Sequence, residues 1–169
     1  IYTYDIENRL VGVTTPTDSW SYVYDALGNL MTATHNGDVS KYVVDPIGFG
    51  NVAAEYDGNG NLVARYEYGL GLLLRSSADD FLAFYMFDAV GNTSELIDVN
   101  GNIINEYSYG PFGERLSNTE TVPNSFEYGG EFGVMDETNG LRFMRARFFD
   151  SDVGRFINPD PLHVVGKVN

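Results

Sequence analysis

Tyr24-Asp25-Ala26-Leu27-Gly28-Asn29-Leu30 decides the fold: an aromatic residue, an aspartate, two residues, then glycine, asparagine and an apolar residue. The unit stands twenty positions earlier as Tyr4-Asp5-Ile6-Glu7-Asn8-Arg9-Leu10 and twenty later as Val44-Asp45-Pro46-Ile47-Gly48. It returns as Tyr56-Asp57-Gly58-Asn59-Gly60-Asn61-Leu62, as Phe87-Asp88-Ala89-Val90-Gly91-Asn92 and as Ile97-Asp98-Val99-Asn100-Gly101-Asn102-Ile103. The aromatic ends a strand, the aspartate bonds the backbone two residues on, and Gly with Asn accepts positive φ at a hairpin tip. The following apolar residue starts the returning strand. Intervals of about ten or about twenty residues fit one or two strands of ordinary length with their turns. Asn36-Gly37 is a further hairpin signal.

Composition agrees. Nineteen Gly, twelve Tyr and eleven Phe, with short Gly/Asn clusters between apolar runs, predict an all-β chain. Tyr66-Glu67-Tyr68-Gly69-Leu70-Gly71-Leu72-Leu73-Leu74-Arg75 has the look of a helix start, but its glycines and Tyr-x-Tyr alternation favour a strand and turn. With 169 residues and 43% hydrophobic content, one buried core is expected.

The formal net charge of −14 disfavours phosphate-neutralising contacts, so no nucleic acid partner is expected. Without cysteine there is no disulfide, thiol nucleophile or thiolate metal site. No apolar run approaches the roughly twenty residues of a membrane span, and the opening residues do not read as a signal peptide. Ile1 reads as an internal residue of a repeat array, with any export signal upstream. Cut there, the sheet edge would be open to pairing.

A second stretch differs in kind. Gly140-Leu141-Arg142-Phe143-Met144-Arg145-Ala146-Arg147-Phe148-Phe149-Asp150-Ser151-Asp152-Val153-Gly154-Arg155-Phe156-Ile157-Asn158-Pro159-Asp160-Pro161-Leu162 holds four of the ten Lys plus Arg, interleaved with aromatics. It resembles the signature closing the core of the Rhs and YD-repeat family, G-L-x-Y-x-R-x-R-Y-Y-D-P-x-x-G-R-F-x-x-x-D-P. The Tyr-Asp units resemble that family's YD repeats, and Tyr107-Ser108-Tyr109-Gly110-Pro111-Phe112-Gly113 matches a phrase found before its core motif.

The resemblance implies a spiralling antiparallel β-hairpin ribbon, the wall of a hollow shell, ending in a core plug region. Residues 1–116 would be shell turns and 117–169 the plug segment, with 117–125 a loop by composition. It further implies a secreted, extracellular or cell-surface protein whose partners are the remainder of its own repeat chain and an enclosed C-terminal toxin or other cargo polypeptide. Toxin-bearing members cut themselves after this motif with two aspartates, which by position are Asp150 and Asp160. Any enzyme activity would then be a single-turnover intramolecular aspartyl autoprotease, with Arg145 or Arg147 steadying a carboxylate or an oxyanion. Ser151 replaces the usual Pro, and Leu162-His163-Val164 stands where x-Gly-Leu is common before the cut, so cleavage in register would leave Val164 as the new end.

Plainer readings stand beside these. Asp150 and Asp160 also suit turn starts, with the arginines offsetting acidic neighbours. Asp57-Gly58-Asn59-Gly60-Asn61 and Asp98-Val99-Asn100-Gly101-Asn102 imitate calcium loops, but Leu62 and Tyr68, or Ile103 and Tyr109, occupy the places that need Gly and Glu. His35 and His163 are isolated and expected to be solvated, so neither a metal nor a cofactor is expected. No Gly-x-Ser-x-Gly elbow supports a serine triad, and Asn92-Thr93-Ser94 fits a glycosylation acceptor only by a short pattern. The many Tyr and Phe suit cross-strand packing better than a glycan-binding surface. The alternative function is a non-catalytic extracellular adhesive or structural protein, wall-associated or teneurin-like, with a cell-surface or glycan partner.

Overall fold

The computed structural model describes residues 1–47 and 50–160. Twelve strands form one sheet: β1 (Tyr2–Tyr4), β2 (Leu10–Thr14), β3 (Ser19–Tyr24), β4 (Leu30–His35), β5 (Asp38–Val44), β6 (Val52–Asp57), β7 (Leu62–Tyr68), β8 (Leu72–Ser76), β9 (Leu82–Phe87), β10 (Thr93–Ile97), β11 (Ile103–Tyr109) and β12 (Arg115–Glu120). Each pairs antiparallel with its neighbours in sequence, so the sheet is an uninterrupted meander. A second sheet of four strands follows: β13 (Met135–Asp136), β14 (Leu141–Met144), β15 (Arg147–Asp150) and β16 (Arg155–Phe156). A 3-10 turn at Gly130–Phe132 lies between the two sheets.

The aspartate of each unit builds its turn. Asp25 Oδ1 accepts the Leu27 and Asn29 N–H groups at 2.8 and 2.9 Å, and Oδ2 accepts Asn29 Nδ2 at 2.8 Å. The backbone closes around it, Asp25 N–H donating to Asn29 O and Gly28 N–H to Asp25 O. Asp57, Asp88 and Asp98 repeat the pattern with Asn61, Asn92 and Asn102. In the first turn Arg9 replaces the asparagine, its Nε donating to Asp5 Oδ2 at 2.7 Å, and Asn8 takes the positive φ that Gly28 supplies later. The loop at Asp45 is longer: its N–H reaches Asn51 O, six residues on. Asp57 and Asp98 thus spend their carboxylate oxygens on hairpin turns.

Each such turn also slips the register. Pairing shifts between Thr3 and Tyr4, Val23 and Tyr24, Glu55 and Tyr56, and Leu96 and Ile97. A bulge bends its strand and increases the twist, so bulges repeated along a meander curl the ribbon. One face becomes concave and buried. On it Tyr22, Tyr42, Tyr66, Tyr85 and Tyr107, one from every second strand, stand in a row opposite Ala33, Glu55, Arg75, Leu96 and Asn118.

Residues 121–160 cover this row. Phe126 stands edge-on to Tyr66 at 4.7 Å, Phe148 packs on Tyr22 at 4.8 Å, and Tyr85 Oη donates to Asn124 Oδ1 at 2.8 Å. Asn139 Nδ2 donates to Tyr22 Oη, and Trp20 Nε1 to Thr138 Oγ1. These tyrosines are core, as cross-strand packing predicts. A Cβ on Gly91 would collide with the Phe132 ring, so this turn must carry glycine for close approach as well as for its positive φ.

Two expectations are corrected. Residues 117–120 are strand, because β12 pairs along its length with β11; the polar composition reflects an edge strand exposed on both faces. His35 is not simply solvated, since its ring stacks on Trp20 at 4.5 Å. Tyr66-Glu67-Tyr68 ends β7, and Leu72–Ser76 returns as β8, so no helix starts there.

The same asparagine in two turns gives a graded test. Asn92 is buried and its Oδ1 also accepts the Gly129 N–H at 2.9 Å. Asn92→Ala, which strands that donor, should cost about 1–3 kcal/mol. Asn102→Ala, in an exposed turn, should cost about 0.5 kcal/mol or less. Urea midpoints measure both, and equal losses would contradict this.

Candidate functional site: the core motif and a buried carboxylate cluster

The core motif forms the β14–β15 hairpin and the turn beyond it. Arg145 sits at the hairpin tip with φ 60°, and its Nη2 donates to Asn51 Oδ1 at 3.0 Å and Phe132 O at 2.7 Å. It ties the hairpin to the wall. Arg147 lies over the Phe156 ring at 3.6 Å, with Nη2 3.5 Å from Asp160 Oδ2. The Asp150 carboxylate accepts the Asp152 and Val153 N–H groups at 2.9 and 3.4 Å, heading a turn as the shell aspartates do. Asp160, its side chain 53% exposed, is brought to Arg147; Arg145 serves a different neighbourhood. Val164, the expected cleavage position, lies outside the described residues, as does His163.

A more deeply set cluster has little trace in the sequence. A cavity of about 640 Å³ lies where β12, the covering strap and the second sheet meet, lined by Arg115, Glu120, Glu127, Asp136, Glu137 and Arg142 among others. Arg115 Nη2 donates to Glu127 Oε1 at 2.5 Å. Arg142 Nε lies 2.8 Å from Asp136 Oδ1, and its Nη2 donates to Gly113 O. The Arg142 side chain is only 6% exposed, the most enclosed guanidinium among the described ion pairs.

Burial governs these acids. It pushes Glu127 up to about 7, helped by Asp136 and opposed by Arg115. It pushes Glu137 up to about 8, helped by Glu55 and Asp136. Asp136 is raised by burial against the pull of Arg142, and Glu55 by burial against the hydrogen bond from Tyr66. Burial and neighbouring acids together favour the neutral carboxyl, so the cluster can exchange a proton near neutrality. Among the described residues no group of three or more His, Cys, Asp or Glu has an arrangement that holds a metal. The sequence signal is weak because Glu127 follows buried Phe126 and is itself buried, which breaks the alternation that marks a strand face.

These shifts fix the pH profile. Glu127 and Glu137 are raised, so their contribution is complete below the unfolded value of 4.5 and lost as pH rises through about 7 and 8. Asp25, Asp57 and Asp98 are lowered chiefly by their asparagine partners, so theirs is present above the unfolded value of 3.8 and lost at lower pH. Urea midpoints from about pH 3 to 9 should peak near the acid end and decline through about pH 8. Glu137→Gln should flatten that decline relative to the wild type. An unchanged slope would contradict the assignment.

The comparisons with known proteins agree with this fold. A model of the teneurin YD-shell family matches residues 1–94. The "tRNA3(Ser)-specific nuclease WapA" of Bacillus spizizenii is 30% identical over 167 residues, covering 95% of this chain and 7% of that protein. The "tRNA nuclease WapA" of Bacillus subtilis is 31% identical over the same span and share. The chain thus spans about 7% of the length of these relatives. Their names give no support to the exclusion of nucleic acid, because the charge of −14 belongs to this segment and sets nothing for the rest of a longer protein. In fold, the chain is similar to the crystal structure of TcdB2-TccC3, with TM-score 0.71 at 16% identity over 99% of this chain and 9% of that one. It is also similar to the Photorhabdus luminescens Tc holotoxin pore, with TM-score 0.69 at 16% identity over 98% of this chain and 9% of that one. With more than half of its residues in that family match and its twelve-strand meander built from repeated aspartate turns, the chain belongs to the Rhs/YD-repeat family as a YD-shell.

Proposed function

We propose that these residues are the closing turns of a hollow YD-repeat wall that encloses a polypeptide, a toxin or other cargo, attached on its C-terminal side. The observation that carries this reading is the covered concave face: residues 121–160 lie on the tyrosine row as a plug lies in a wall. In this division residues 1–116 serve as wall and 117–169 as plug, and the protein is secreted or displayed at a cell surface. The rest of the ribbon is the first partner. On one rim the turns after β1, β3, β5, β7, β9 and β11 raise Ile6, Leu27, Ile47, Leu70, Val90 and Phe112, each exposed, which suits packing against a neighbouring coil.

The plug also releases its cargo in this reading. Of Asp150 and Asp160, the ionised carboxylate takes a proton from water, and the hydroxide formed attacks the carbonyl of Val164. The protonated carboxylate polarises that carbonyl, and the departing amine takes up a proton. Arg147, 3.5 Å from Asp160, supplies positive charge beside the dyad, while Arg145 positions the hairpin against the wall. One turnover in a covalently attached substrate needs little more than placement.

A second reading is a rigid extracellular spacer without catalysis, favoured by the match to the teneurin shell model. One experiment separates them: mass spectrometry of the intact protein, with and without trypsin, for wild type, Asp150→Asn and Asp160→Asn. Self-cleavage predicts wild-type fragments ending at Val164 and beginning at Val165 that both variants lack; identical fragments would contradict it. Enclosure predicts that the polypeptide following the plug resists trypsin until the protein is denatured. Digestion at the denatured rate would favour the spacer.

A further inference from the structure

We propose that the cavity beneath β12 binds a cationic side chain, a lysine ammonium or arginine guanidinium, presented by an extended peptide lying along the free edge of that strand. This is a property of the concave face and stands whether or not the wall encloses cargo.

Four observations lead there. First, among the described residues β12 ends the sheet order: it pairs with β11 on one side, and all six of its residues are exposed. Such an edge offers a row of backbone donors and acceptors to an added strand. Second, the register shift between Ser108 and Tyr109 sets Arg115 opposite Tyr109, while Asn118 and Glu120 stand opposite Tyr107 and Asn105. Arg115, Asn118 and Glu120 therefore share the concave face, and Arg115 and Glu120 border the cavity.

Third, the charge is one-sided. Glu114, Glu120, Glu127, Asp136, Glu137 and Asp152 line the cavity against two guanidinium groups, Arg115 and Arg142. Both guanidinium groups are already engaged, with Glu127 and with Asp136. Fourth, Glu127 is 3% exposed, yet its Oε2 has no hydrogen-bond partner among the described residues, and neither has Nη1 of Arg142, a residue 5% exposed. A buried carboxyl oxygen without a donor is costly, and so is a buried guanidinium N–H without an acceptor.

A peptide satisfies both at once. Its ammonium or guanidinium donates to Glu127 Oε2, and a main-chain carbonyl accepts from Arg142 Nη1. A free metal ion would satisfy only the carboxylate, and no metal-holding group stands among the described residues. A polyanion would meet the excess of carboxylates and be repelled.

Isothermal titration of the intact protein with an octapeptide of alternating Lys and Thr tests this, with the Glu–Thr octapeptide as counterpart. The Lys–Thr peptide should bind at least about tenfold more tightly than the Glu–Thr peptide, and Glu127→Gln should weaken it by about tenfold. Glu120→Gln alters an exposed residue and keeps the test open if Glu127→Gln fails to fold; it should weaken binding about threefold. Equal binding of the two peptides, or Lys–Thr binding unchanged in Glu120→Gln, would overturn the proposal.

Discussion

The structure depends on one contact repeated along the chain: an aspartate carboxylate at a strand end that accepts two backbone N–H groups ahead of it and a side-chain N–H from the closing residue. It stabilises a turn of fixed length, and a fixed turn sets the pairing of the strands it joins. Because that turn also inserts a bulge beside the aromatic residue, register and curvature come from the same few atoms. The ribbon has no separate instruction to bend.

Curvature then decides what the inner face must be. Five tyrosines from alternate strands converge there, and their hydroxyl groups need partners once covered. The strap supplies them through Asn124 and Asn139, while Glu55 and Glu120 of the twelve-strand sheet accept from Tyr66 and Tyr107. Burying so many polar groups draws carboxylates into low dielectric, which is why Glu127 and Glu137 titrate far above exposed acids. The turn aspartates Asp25 and Asp57, held ionised by their hydrogen bonds, lean the other way. Turn aspartates and buried glutamates thus respond to pH with opposite sign.

Much of the wall is legible in the sequence because the turn is local. Tyr24 to Leu30 contains every atom that shapes its hairpin, so reading the unit amounts to reading the fold. The plug is less legible because its contacts are distant in sequence. Arg145 answers to Asn51, and Arg142 to Gly113, pairings that no spacing rule anticipates. The polar run after Arg115 reads as loop because an edge strand exposed on both faces lacks alternation. Among the sequence-derived site residues, Arg147 and Asp160 meet, whereas the cavity carboxylates belong to a cluster that only the folded chain assembles.

The central claim is that strap and wall form one cooperative unit, the tyrosine row being stable only while covered. Hydrogen exchange of the intact protein, compared with Phe126→Ala, measures this most directly. Phe126 is 1% exposed and packs on Tyr66. The account predicts that β5, β7 and β9 lose protection together with residues 121–137 in the variant. Wall strands that keep their protection while the strap exchanges freely would contradict it.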